Sequence, residues 1–307
     1  MSQQVTESFV QQYSANVMHL SQQKGSRLEP KVRVETQKSK AQFFDRIGTV
    51  AAVKKTGRHS STPQMDTPHS RRMVTFEDYE WADLVDDQDK LRMLIDPTSE
   101  YAMAAAFAFG RSKDDVIIAS ALGNAYAGET GSTVVAHPNT SKIAATTGAA
   151  FSNLNVFTLR LIKQKMDSAE VEGKRYMAVT SSQIASMLNE TAITSADYNS
   201  VKALVQGEVN SFMGFEFIRL ERLALTTSTT ATVATGVVGS GVALTGTNRA
   251  CFAWAEQGIL MTKPEDMISK ISERPDKSYA MQVYNRMSIG GTRMEEEQVI
   301  EVICKEA

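Results

Sequence analysis

Cysteine is almost missing from this sequence: among 307 residues there are only Cys251 and Cys304. That count excludes a disulfide-stapled secreted scaffold. With no basic-then-apolar segment after Met1, the expectation is a reducing compartment and two free, buried thiols. Histidine is scarce too, with four in all. His19, His59, His69 and His137 fall in a polar arm, a turn-rich link and a loop, where no rigid element sets up acid–base work, so they are expected at a surface or an interface. No apolar run reaches the length of a membrane span. Net charge is only −2 and the isoelectric point about 6.2, so nothing in the total points to nucleic acid or to a membrane surface.

The usual chemical motifs are missing as well. Gly128-Glu129-Thr130-Gly131-Ser132-Thr133 lacks the lysine that would meet phosphates. Gly239-Ser240-Gly241 lacks the third glycine of a dinucleotide fingerprint. Neither a nucleophile elbow nor a His-Glu-x-x-His pattern occurs, and no cofactor is implied. Asp83, Asp86, Asp87 and Asp89 lack the glycine and the terminal glutamate of a calcium loop, so a solvated or salt-bridged face is favoured over a metal site. Lys54, Lys55, Arg58, Arg71 and Arg72 could touch phosphate, but without interleaved aromatics a protein–protein contact is the better reading.

What remains is an ordinary folded composition, 42% hydrophobic and 22% charged, long enough for two or three compact units. Its charge is unevenly spread. Residues 1–72 hold twelve Lys/Arg against five Asp/Glu, a net of +7, and residues 73–100 hold two against nine, a net of −7. Two adjacent segments of opposite sign can pair with each other or between copies of the chain.

The dominant element is a helix predicted over 96–124, roughly 26 residues and about 39 Å long. Asp96 is placed to cap it, Pro97 to start it, and Gly123-Asn124 to end it in a left-handed turn. Arg111-Ser112-Lys113-Asp114-Asp115 forms a charged waist longer than one turn, which rules out a membrane span. Before this helix, residues 5–20 read as a short amphipathic helix in a polar arm, and residues 31–35 as extended. Runs 41–53 and 72–85 read as two strands of about 13 residues forming a hairpin, roughly 43 Å long and therefore protruding. Asp86 to Leu94 reads as a helical lead-in.

Beyond the helix, 127–147 reads as loop, and Asn153 is expected to cap a helix over 154–166 with Leu154, Phe157, Leu161 and Met166 facing inward. A buried strand at 175–180, helices capped by Ser182 and Thr194, and strands at 215–220 and 249–259 make an α/β layer. The Thr/Gly/Val-rich stretch 226–248 is a flexible or β-hairpin loop. A helix is expected at 264–272, then extended runs at 279–289 and 298–304, hinged at Gly290-Gly291 and returning beneath the long helix.

This order of parts resembles the major capsid protein of tailed bacteriophages, the Hong Kong-type capsid fold. FFDRIGTVAAVKK with TPHSRRMVTFEDYEWADLVDDQDKLRMLIDP is similar to that family's extended loop and its exit into the spine helix. Phe212-Met213-Gly214-Phe215, RACFAWAEQGI and RPDKSYAMQVYNRMSIGGTRMEEEQVIEV are similar to its late segments. The resemblance implies an α+β chain in five parts: arm 1–40, extended hairpin 41–85, peripheral domain with spine helix 86–174, axial α/β domain 175–263 and return strands 264–307. It also implies a non-enzymatic subunit forming the pentamers and hexamers of an icosahedral virion shell, assembled in the bacterial cytoplasm around packaged double-stranded DNA contacted without sequence preference. Portal, decoration or cement proteins are the further partners, with no membrane. Members with a built-in scaffold carry a longer N-terminal segment removed by a protease. The short stretch before the hairpin here suggests a separate scaffolding protein, if any. On this reading Lys31, Arg33, Lys54, Lys55, Arg58, Arg71, Arg72, Asp83, Asp86, Asp87 and Asp89 are candidate inter-subunit residues. The alternatives are an encapsulin-like bacterial compartment and, in a different class, a cytosolic α/β hydrolase or transferase. A megadalton particle separates shell from enzyme, and nucleic acid inside it separates capsid from compartment.

Overall fold

The structure, a computed structural model, describes residues 21–59, 61–62, 64–85, 98–147, 150–190, 211–226 and 247–306. The helices expected at 5–20, 86–94 and 194–206, the caps Asp96 and Pro97, His19, and most of the 226–248 loop lie outside these residues. The fold is α+β. By contact the chain sorts into two compact units, one of residues 1–26, 78–112 and 265–288, the other of 27–77, 113–264 and 289–307.

In the larger unit the arm leaves a short 3-10 turn, Glu29–Lys31, as strand β1 (Arg33–Thr36). Strand β2 (Ala41–Ile47) pairs antiparallel with the first part of β3 (His69–Val85). The expected hairpin is therefore real but shorter, about 23 Å at 3.3 Å per residue. Its last bond runs from Gly48 N to Pro68 O, 2.9 Å. Pro68 has no N–H to continue the ladder, and β3 has another neighbour in β16. Residues 48–56 form no strand.

The long helix, α1 (Thr98–Leu122), is 25 residues. Gly123 does not turn left-handed. Its N–H continues the helix to Ala119 O at 2.8 Å, and a Cβ there would lie 2.5 Å from that oxygen. Residues 127–147 are more ordered than a loop. Strands β4 (Ala125–Ala127) and β5 (Thr133–Val135) form a small hairpin whose turn uses positive φ at Gly128 and Gly131. Short strands β6 (Lys142–Ala144), β7 (Thr146–Thr147) and β8 (Ala150–Phe151) follow.

Helix α2 (Val156–Ser168) is capped by Asn155, not Asn153: the Asn155 side chain accepts from Thr158 N at 2.8 Å. Its buried face is Thr158, Leu159, Ile162 and Met166, while Phe157 is exposed. Strand β9 (Arg175–Val179) leads into α3 (Ser181–Leu188), whose cap is Thr180, not Ser182, its N–H held by Gln183 Oε1 at 2.9 Å.

Strands β10 (Ser211–Phe212) and β11 (Phe215–Arg219) are joined by Met213-Gly214, both at positive φ, as a tight two-residue hairpin needs. Strand β12 (Leu225–Thr226) pairs with the start of β13 (Thr247–Ala255), so the base of the 226–248 loop is a hairpin base. Strands β14 (Ile259–Lys263), β15 (Ile268–Arg274), β16 (Ala280–Arg293) and β17 (Val299–Glu306) complete the chain.

Three expectations fail here. Residues 268–274 form a strand, not a helix, because antiparallel pairing with β16 (Ile271 opposite Val283) overrides local preference. Gly290-Gly291 is no hinge, since β16 runs straight through it. A Cβ on Gly290 would sit 2.3 Å from Thr75 O and one on Gly291 2.4 Å from Ser120 Oγ, so these glycines let β16 press against β3 and α1. Of the two expected returning runs, β16 meets α1 at Ser120. Strand β17 lies in a different sheet, ordered β10-β11-β9-β13-β17-β6.

That sheet is the core of the larger unit. Residues 250–255 of β13 and 299–304 of β17 are buried without interruption, the pattern of strands covered on both faces. Helix α3 lies by β17, and α2 by β6 and β7. Cys251 and Cys304 are free and fully buried within it, as expected. In the smaller unit the arm crosses α1 at Gly110, where a Cβ would meet Gly25 Cα at 2.5 Å, and Arg111 Nη1 donates to Gln22 Oε1 at 2.8 Å.

Gly290→Ala tests the close approach. The clash is with backbone, so the substitution should destabilise the unassembled chain by about 2–3 kcal/mol in urea unfolding. A loss under about 0.5 kcal/mol would show that β16 and β3 are not so tightly apposed.

Candidate assembly surface and its charged frame

The candidate residues separate into those the chain uses for itself and those it leaves at the surface. Lys31 belongs to the first group. Its Nζ lies 2.5 Å from Glu216 Oε1 and 5.1 Å over the Tyr176 ring, and the bond to Glu216 raises its pKa. Trp254 Nε1 donates to Lys31 O at 3.0 Å, so the residue fastens the arm to the core sheet from both ends. Arg72 is also internal. It is 1% exposed and paired with Glu296, and burial pulls its pKa down against that carboxylate.

Arg33 is exposed and pairs with Glu35 on its own strand. Arg71 faces Asp45 across the β2–β3 pair at 3.1 Å and lies 5.6 Å over the Phe43 ring. Both charges rim an open cavity of about 550 Å³ that also takes in His69 and Glu129. Lys54, Lys55 and Arg58 are exposed in the link between the strands, together with Val50 and Val53. Asp83 is exposed near the end of β3, its Oδ1 accepting from Leu84 N at 2.8 Å. Asp86, Asp87 and Asp89 lie outside the described residues.

Behind this surface is a charged frame that the sequence reading did not resolve. Asp114, in the waist of α1, is fully buried. Its carboxylate accepts from Arg27 N at 3.2 Å and Leu28 N at 3.1 Å. Beside it Lys113 Nζ meets Glu29 at 2.7 Å, and Arg222 Nε donates to Asp115 Oδ1 at 2.8 Å, a bond that raises the Arg222 pKa. Arg27 Nη1 donates to Arg219 O at 2.6 Å. One turn of helix thus holds the arm and the exit of β11. A polar run longer than a helical turn must turn at least one charge inward, and that was the available signal.

At the other end of α1, Arg293 is fully buried and its Nη1 donates to Ala121 O and Gly123 O, each at 2.9 Å. A guanidinium there satisfies orphan carbonyls and meets the negative end of the helix dipole. His137 departs from its expected place at a surface or an interface. It is 6% exposed, and burial, with Arg293, Lys142 and Lys165 adding repulsion, pushes its pKa down to about 3. His59 and His69 are exposed, as expected. At the base of the 226–248 loop, Arg249 Nη2 pairs with Glu306 at 2.7 Å and holds that carboxyl below its usual range. Among the described residues no group of acidic, histidine or cysteine side chains could hold a metal ion, and no helix is long and apolar enough to cross a membrane.

A surface of extended chain outside any strand, with scattered charge, is suited to contacts between proteins. A family model described as phage capsid protein matches residues 5–306. The chain belongs to the phage capsid protein family. No curated protein matches it. The capsid structure of cyanophage P-SCSP1u superposes with a TM-score of 0.71 at 18% identity, over 99% of this chain and 95% of that one. The capsid of Ralstonia phage GP4 gives 0.72 at 10%, over 98% and 96%. The cyanophage Pam1 capsid gives 0.70 at 14%, over 97% of both chains. At such identities the likeness is one of fold. This capsid protein is a structural subunit of a virion shell built from repeated copies, and neither the compartment nor the hydrolase or transferase reading is supported.

Two outcomes follow for the frame. Asp114→Asn keeps the shape but turns an NH₂ or a weaker acceptor toward two backbone donors, and should cost about 2–3 kcal/mol with loss of hydrogen-exchange protection at Leu28. Unchanged protection there would remove Asp114 as the anchor. For His137 the folded pKa lies below the unfolded value of 6.5, so the unfolded chain takes up the proton first. Its contribution is complete above pH 6.5 and is lost on the way down toward 3. Stability of the unassembled chain should fall by about 1.4 kcal/mol per unit once well below pH 6.5. His137→Gln should flatten that slope between pH 5 and 6, above the carboxylate range; an unaltered slope assigns it to another group.

Proposed function

We propose that this capsid protein forms the pentamers and hexamers of a closed shell enclosing packaged double-stranded DNA. The observation that carries the proposal is residues 48–56, with Val50 and Val53 exposed and no strand partner among the described residues, inside a chain that matches a capsid family almost end to end. An extended apolar segment of this kind is satisfied by a second copy. The contacts are individually weak, but they recur at every equivalent boundary, and repetition gives a closed shell its stability.

We further propose that the chain divides into five parts: arm, extended loop, spine-bearing peripheral domain, axial domain and return strands. DNA is met through its phosphates without base recognition, which the near-neutral total charge permits. A separate scaffolding protein, a portal and a cement protein are the partners proposed, with assembly in the host cytoplasm. For the 226–248 loop we propose a position at the capsomer axis, so deleting residues 230–241 should spare the fold and impair capsomer closure.

The interface is proposed to join the basic link of one copy (Lys54, Lys55, Arg58, with Arg33 and Arg71) to the acidic segment of another (Asp83, Asp86, Asp87, Asp89). Lys31 and Arg72 are poor contributors, because each is held by a glutamate of its own chain. Exposed pairs contribute only about 0.2–1 kcal/mol each, and the Debye length of about 8 Å at physiological salt weakens them further. Changing Asp86, Asp87 and Asp89 to Lys should block assembly, seen by negative-stain microscopy, without altering circular dichroism. Changing Lys54, Lys55 and Arg58 to Glu in the same chain should partly restore particles. If the compensated chain assembles no better than the triple Asp change, the two segments do not face each other.

A further inference from the structure

The inner face of the β2–β3 pair carries more positive charge than the chain balances. Register places Phe44 opposite Arg72 and Arg46 opposite Ser70, so Arg46 and Arg72 project from the same face as Phe44. That face packs through Phe44 and Val74 on Leu260 and Met294. The turn after β16 brings Arg293 and Glu296 to the same place. Glu296 pairs with Arg72 and lies 3.9 Å from Arg46 Nη1 and 4.0 Å from Arg293 Nε. One carboxylate therefore faces three guanidiniums, of which Arg72 is 1% and Arg293 0% exposed.

Backbone acceptors take some of the donors. Met294 O accepts from Arg46 Nη1 and from Arg72 Nε, the latter at 3.4 Å, and Arg293 spends its Nη groups on Ala121, Gly123 and Val135 carbonyls. Even so, Arg46 Nε, Arg72 Nη1 and Arg293 Nε are buried without an acceptor among the described residues. Arg cannot shed its proton. Neutral acceptors such as water answer the N–H groups but not the charge, and buried charge left uncompensated is strongly unfavourable. Arg46 and Glu296, whose side chains are 26% and 23% exposed, form the edge of the cluster at which a small ion would be met.

We propose that Arg46, Arg72 and Arg293 form a site for one small inorganic oxyanion of the phosphate class, which ties the hairpin base to the C-terminal end of α1. Planar guanidiniums suit such an anion because each can offer two parallel N–H groups to its oxygens. Burial lowers the pKa of both Arg72 and Arg293, the direction expected where cations lack a counter-charge. Glu296 competes for the same donors, so its role is to hold the cluster together when the anion is absent.

The test uses shells purified without nucleic acid, with inorganic phosphate as the probe against chloride at matched ionic strength. Equilibrium dialysis with labelled phosphate should give close to one ion per chain, and the melting temperature should rise by several degrees and saturate. Arg46→Gln, a half-buried position that leaves the core intact, should weaken the apparent affinity at least tenfold. Glu296→Gln should strengthen it, because the competing carboxylate is neutralised. Arg160→Gln, on the exposed face of α2, should leave phosphate binding unchanged. No bound phosphate, or binding that Arg46→Gln leaves untouched, or binding lost equally in Arg160→Gln, overturns the assignment.

Discussion

A carboxylate buried in the middle of a long helix constrains most of this chain. Asp114 is fully buried, so its carboxylate requires partners, Arg27 N and Leu28 N among them. That requirement fixes where the arm crosses α1. Once it is fixed, Leu28 and Val32 are buried, and β1 continues as a parallel neighbour of β14 with Arg33 opposite Leu260. Gln37, fully buried at the end of that run, bonds Val74 O and accepts from Thr262 Oγ1, joining the arm to β3 and β14 together. An arm too poor in apolar residues to build a core is thus ordered by polar contacts at two points.

The second support of α1 is electrostatic in a different way. Arg293 satisfies the last carbonyls of the helix from a strand, and the paired glycines before it remove the side chains that would hold that strand away. Helix and sheet are consequently held by their backbones as much as by side chains. A subunit that must keep its shape while its edges are pulled by neighbours benefits from such direct contacts, since close-packed elements transmit load with little give. The core sheet, with β13 and β17 buried on both faces, supplies the apolar stabilisation. Segment 48–56 contributes none to the isolated chain, and this division of labour is what a capsid subunit requires.

Much of this was legible in the sequence. The long helix, the buried strands at 175–179 and 249–255 and the paired segments around the link all announce themselves through local pattern, and the order of parts identifies the family. What was not legible depends on distant partners. Residues 268–274 carry no strand signal strong enough to overcome a helical reading until β16 is beside them. Gly290-Gly291 reads as a hinge because a glycine that admits a close neighbour looks the same, in sequence, as one that bends. Asn153 and Asn155 are equally good caps by type, and only the apolar phase of α2 selects the second. The candidate interface was read from charge alone, which cannot tell Lys54, left in solvent, from Lys31, claimed by Glu216. His137 and the arginines around Glu296 were invisible for the same reason, since burial of a polar residue is set by what folds over it.

The central claim is that the chain builds its frame alone and completes its extended link only against other copies. Hydrogen exchange measured on the unassembled chain and on closed shells tests it directly. The account predicts strong protection in both states for the amides of Leu28, β13 and β17, and protection of residues 48–56 in shells only. Equal protection of 48–56 in both states, or its absence in closed shells, would contradict the account.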